Sequence, residues 1–134
     1  MKTKLKNNGS VLLITIFATA LLSAITIGIL QMNTEEIQLM RNQIYAAKAQ
    51  AIAEAGLNDA FSELRVDSSW NSGFSNKVFD GGSYTVTVSG ILPNLTITST
   101  GTSVQGFVAR VGADIRVGSI SPYRIRMDSL RINE

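Results

Sequence analysis

A chain of 134 residues with twelve basic and ten acidic side chains, a formal net charge of +2 and neither cysteine nor histidine has room for one modest domain. Without those two residue types there is no disulfide framework, no thiol chemistry, none of the usual zinc sites and no Ser-His-Asp or Cys-His arrangement. Lys2, Lys4 and Lys6 carry the basic excess, since taking these three from twelve leaves nine basic residues against ten acidic ones.

The chain opens with this short basic segment, residues 1–9, and Val11 to Leu30 then contains no charged residue. Twenty helical residues at 1.5 Å each reach about 30 Å, the hydrocarbon thickness of a bilayer. The lysines immediately before the run place the N-terminus in the cytoplasm and send the rest of the chain outward. Ala18-Thr19-Ala20 has the small-x-small form of a signal-peptidase site. Cutting there would leave LLSAITIGIL as an apolar N-terminus that a soluble protein would have to hide, which weighs against a cleaved secretion signal.

Nothing ends the helix beyond the apolar run. Gln31 to Arg65 holds no proline and only Gly56 as a weak helix former, so one helix is expected over 10–65. At roughly 85 Å it is far longer than a bilayer requires, and its second half must pack on something else. Leu57, Phe61 and Leu64 form the stripe for that contact. Gly56 costs up to about 1 kcal/mol against alanine within a helix, and close approach of a sheet is the expected compensation. Ala46, Ala47, Ala49, Ala51, Ala53 and Ala55 make a slender surface on the same half, while Glu35 and Glu36 mark the water boundary. Inside the membrane segment, Ala20, Ala24 and Gly28 recur at every fourth position, a face that lets a second helix come close.

The basic leader ending in Gly9, the following Ser10, the charge-free run, Glu35-Glu36 and AAKAQAIAEAGLNDAFSEL together resemble the amino terminus of type IV pilin-like proteins. The similarity is nearest to minor pilins of the PilX-type amino-terminal family, with Ala53 to Leu57 matching its A-E-A-G-L segment, and it covers roughly residues 5–65. The resemblance implies cleavage after Gly9 by a prepilin peptidase, N-methylation of Ser10, and storage in the inner membrane before assembly with other pilins on an assembly platform. Major pilins usually begin with phenylalanine and carry a glutamate five residues into the mature chain, where this sequence has Ser10 and Ile14. That glutamate is thought to pair with a neighbour's amine, and Ile14 cannot do so. The departure resembles minor subunits at or near a filament tip rather than a repeating subunit.

Residues 66–82, VDSSWNSGFSNKVFDGG, are rich in Ser, Asn, Asp and Gly and read as a loop. Asp67, Ser69 and Asn71 have the spacing of a calcium loop, but Gly73 comes one place late and Val78 stands where the closing glutamate belongs. Trp70 and Phe74 are expected as lids on a small core. From Gly82 onward the apolar period is two. Tyr84, Val86 and Val88, then Leu95 and Ile97, alternate with hydroxyl residues, and Phe107, Ala109, Val111, Ala113, Ile115 and Val117 alternate with polar ones. Short connections at Ile91–Asn94 and Gly101–Gly106 favour an antiparallel meander. The tail continues the alternation with Tyr123, Ile125 and Met127, then switches parity at Leu130 and Ile132, which calls for a bulge near Ser129.

Five arginines between Arg110 and Arg131 raise the idea of a nucleic-acid strip, but residues 66–134 hold six basic and five acidic side chains and a single aromatic residue, Tyr123, lies between the arginines. The balance argues against a nucleic-acid partner. Lys48 and Lys77 sit in no serine-lysine motif, and no phosphate loop opens a helix, so the sequence offers no enzyme and no cofactor site. The expected protein is α+β: a long N-terminal helix, membrane-spanning over about 11–30, against an antiparallel sheet of three or four strands within 83–134. Its expected role is that of a minor pilin or pseudopilin in a type IV pilus or related secretion filament. The alternative is a single-pass membrane protein with an exported binding domain and no filament.

Overall fold

A computed structural model describes residues 8–132. Helix α1 (Asn8–Val66) is followed by β1 (Phe74–Phe79), β2 (Gly82–Ile91), β3 (Asn94–Thr102), β4 (Val108–Val117) and β5 (Ile125–Ile132). The chain divides into two compact units, Met1–Arg41 and Asn42–Glu134.

The described part of the first unit is helix alone. Every side chain from Gly9 to Arg41 is exposed, including large apolar ones such as Leu12 and Phe17, at 64% and 69%. Among the described residues, α1 is the one helix long and apolar enough to cross a membrane.

In the second unit the last part of α1 lies on a five-stranded antiparallel sheet of order β1-β2-β3-β4-β5. The architecture is α+β with a meander, as the alternation predicts. Ile52, Ala53, Leu57, Ala60 and Leu64 of the helix join Tyr84, Val86, Leu95, Ile97, Val111, Ala113, Ile115 and Val117 of the sheet in a single core, against which Phe61, Trp70 and Phe74 pack partly buried. The expected helix stripe is therefore in place, and so are the two aromatic lids. Of the six alanines, Ala49 and Ala53 are buried while Ala46, Ala47 and Ala51 face outward.

Two expectations need correction. The sheet has five strands rather than three or four, and the extra one, β1, lies inside the segment read as a loop over 66–82. FSNKVF lacks alternation because the strand is irregular: its register against β2 shifts between Phe74 and Lys77, and Asn76 has a φ of 50°. A bulge erases the period of two on which a strand is recognised. The irregular stretch shrinks to residues 67–73, in which the Asp67 carboxylate accepts hydrogen bonds from the Ser69 amide and hydroxyl at 2.9 and 2.6 Å.

The parity switch in the tail is a bulge one residue from the expected place. Asp114 pairs with Ser129 and Ile115 with Met127, leaving Asp128 as the extra residue. The bulge returns Leu130 and Ile132 to the face that carries Met127, at positions opposite Ala113 and Val111.

Candidate functional site

Four hydroxyl residues interrupt the apolar run: Thr15, Thr19, Ser23 and Thr26. Each donates to a carbonyl one turn back, at Leu12, Ile16, Thr19 and Leu22, over 2.8–2.9 Å. An unpaired hydroxyl in hydrocarbon costs several kcal/mol, and this back-bonding removes that cost without any partner. The segment is thus self-sufficient in hydrogen bonding as well as apolar.

Along the same helix Gly9, Ser10, Ile14, Ala20, Ala24 and Gly28 are all exposed. A Cβ built on Gly9 or Gly28 meets nothing within 4 Å, so packing among the described residues explains neither glycine. Ala20, Ala24 and Gly28 share one face by their spacing and leave it shallow. Lys2, Lys4 and Lys6 lie outside the described residues.

The helix-sheet seam is built on two glycines. A Cβ on Gly56 would sit 2.5 Å from Ser99 Oγ and 2.7 Å from the Tyr84 ring, so the expected close approach of the sheet is present. A Cβ on Gly101 of β3 would run into the Ala49 carbonyl oxygen and the Ala53 amide nitrogen, with the Ala53 Cα at 3.0 Å. Backbone therefore meets backbone at Gly101, Ala49 and Ala53. Sequence reading found Gly56 through its helix penalty but missed Gly101, because glycine in a TSTGTS stretch reads as a turn residue.

Two polar clusters tie the elements together, one beside this seam and one away from it. Tyr84 Oη and Lys77 Nζ both donate to Asp59 Oδ2, the latter at 2.6 Å, and Lys77 Nζ lies 4.6 Å from the Phe74 ring centroid. The cluster ties α1 to β1 and β2. The hydrogen bond from Lys77, and next that from Tyr84, hold the Asp59 carboxyl below the usual carboxylate range. The same bond holds Lys77 above the ordinary lysine value, and burial raises Tyr84. On the other face of the sheet, Asp114 accepts from Ser129 Oγ at 2.7 Å, Thr96 Oγ1 at 2.8 Å and Arg131 Nη2 at 2.9 Å. Hydrogen bonds from Ser129 and then Thr96 lower its pKa, and the network joins β3, β4 and β5. Both clusters are cross-links between elements.

The Asp59 cluster predicts a pH dependence with a definite sign. A carboxyl whose folded pKa lies below its unfolded value contributes stability that is present above the unfolded pKa, near 4, and is lost as pH falls through the folded one. Asp59→Asn is therefore expected to be less stable than the parent at pH 7, by no more than about 1 kcal/mol because the pair is half exposed. That difference should shrink as pH falls below about 4. Urea midpoints of both proteins from pH 7 to 3 measure it; a constant difference would show that the ionised carboxylate contributes nothing.

No protein-family model, curated protein or solved structure matches the chain.

Proposed function

We propose that the chain is a minor pilin or pseudopilin that takes part in initiating, capping or decorating a type IV pilus or a related secretion filament. The observation that supports this most is the division of labour within α1. Its first part is apolar, hydrogen-bonded within itself and exposed along its whole length, while its last part is the buried strut of an antiparallel sheet. A subunit stored in a membrane and then inserted into a filament needs an apolar helix free to exchange lipid for neighbouring helices. The sheet domain holds the other end of that helix.

In this reading a prepilin peptidase cuts after Gly9, Ser10 becomes the methylated terminus, and the Ala20, Ala24, Gly28 face meets a helix of a companion pilin. The precursor resides in the inner membrane with its N-terminus cytoplasmic and the sheet domain outside. Ile14 makes no charge pair with a neighbour's amine, which suits a tip or near-tip position.

The test is the intact mass and N-terminal sequence of the protein recovered from membranes of cells with and without a prepilin peptidase. The expected product starts at Ser10, carries an added methyl group and depends on the peptidase. A persistent Met1 terminus would favour a plain single-pass anchor, and a start near Leu21 would overturn the filament reading in favour of a secreted domain.

A further inference from the structure

At the end of the sheet where β2 turns into β3 and β4 into β5, an open groove of about 790 Å³ is lined by Leu92, Pro93 and Tyr123 together with Arg116, Arg124 and Arg126. It lies within the second unit. Arg116 and Arg126 are direct cross-strand partners, and Arg124 lies two residues before Arg126, with its carbonyl bonded to the Gly118 amide at 2.8 Å. Like charges placed directly opposite on neighbouring strands are destabilising. Here the repulsion is relieved only in part, because one carboxylate, Asp128, serves two of the three guanidiniums, at 3.7 Å from Arg116 and 3.3 Å from Arg126.

The arrangement also gives two of the three arginines a side-chain partner without consuming them. Arg116 Nε donates to Asn94 Oδ1 at 3.2 Å, and Arg126 meets Asp128 through Nε. A guanidinium has five N–H donors, so both retain most of theirs. Arg124 has no ion pair among the described residues. Three guanidiniums against one carboxylate leave a local excess of two positive charges beside an apolar and aromatic lining.

We infer that this groove binds a phosphate monoester carried on an apolar or aromatic body. A phosphate monoester bears close to two negative charges at neutral pH and three strong acceptor oxygens, which match the charge excess and the fork geometry of the arginines. Leu92, Pro93 and Tyr123 cover the body of the ligand. A monovalent carboxylate matches the charge less well, and an extended polyanion would need a longer basic track than these three residues supply.

The experiment is a titration of the full-length protein, labelled with 15N and held in non-ionic detergent, with phenyl phosphate, inorganic phosphate, benzoate and a single-stranded oligonucleotide. The expected result is saturable shifts of the amides from Val117 to Arg126, with phenyl phosphate binding more tightly than either inorganic phosphate or benzoate. Arg124→Ala should weaken phenyl phosphate about tenfold, the loss of one charge-assisted hydrogen bond. Arg110→Ala, which removes an arginine that does not line the groove, should leave binding unchanged. A spectrum otherwise identical to that of the parent shows that each variant is folded. Equal losses in the two variants would reduce the effect to diffuse charge and overturn the site. So would benzoate binding as tightly as phenyl phosphate, or the absence of saturation at about 20 mM, beyond the range that such contacts support. Oligonucleotide binding tighter than phenyl phosphate and abolished by Arg124→Ala would replace the small ligand by a nucleic acid.

Discussion

Gly101→Ala is expected to destabilise the sheet domain by about 3 kcal/mol or more, beyond the usual range for one added methyl group in a packed interior. The reason lies in what the methyl meets. At Gly101 the obstacles are the Ala49 carbonyl oxygen and the Ala53 amide nitrogen and Cα, atoms fixed in the hydrogen-bond ladder of α1. Relief requires the helix to lift from β3, and Ile52, Leu57 and Leu64 would lose contact with the core as it does. Gly56→Ala probes the same seam from the helix side with a smaller expected cost. Its obstacles are the buried Ser99 hydroxyl and Tyr84 ring, side chains rather than backbone, and alanine recovers up to about 1 kcal/mol of helix propensity. Chemical denaturation of the full chain in non-ionic detergent, followed by the fluorescence of Trp70, its single tryptophan, compares the two. A Gly101→Ala protein as stable as the parent would show that the helix does not rest on β3.

The second large effect is expected at Leu64. This side chain is fully buried, whereas Leu130 on β5 is 50% exposed. Leu64→Ala should cost about 3 kcal/mol, combining lost transfer energy with the cavity left in a core that cannot collapse around it. Leu130→Ala removes the same atoms from a surface already half wet and should cost about 1 kcal/mol or less. The pair separates burial from residue type. Equal costs would mean that the edge of β5 is covered by something besides this chain, and a negligible cost at Leu64 would place the core elsewhere. Both variants leave residues 8–41 untouched, so membrane association is expected to persist in each.

How much of this was legible in the sequence depended on whether a feature is periodic along the chain. The apolar run, the uninterrupted helix, the stripe at Leu57, Phe61 and Leu64, and the alternation in β2, β3 and β4 are local patterns, and each maps directly onto its element. The parity switch after Met127 was legible for the same reason, since a bulge must follow when apolar residues change face. Gly56 could be singled out because glycine in a helix has a cost that calls for a compensating contact.

The rest depended on which residues meet across the fold. β1 went unread because its irregular register destroys the alternation by which strands are recognised. Gly101 went unread because its constraint is a helix backbone nearly fifty residues away in sequence. The grouping of Asp59 with Lys77 and Tyr84, of Asp114 with Thr96, Ser129 and Arg131, and of Arg116 with Arg124 and Arg126 exists only once the meander sets the strands side by side. Hydrophobic period and propensity act over a few residues, so the long helix, its apolar half and the alternating strands can be read along the chain. The fifth strand, the backbone contact at Gly101 and the arginine groove arise from contacts between distant residues, which are set by register and close packing and leave no period in the chain.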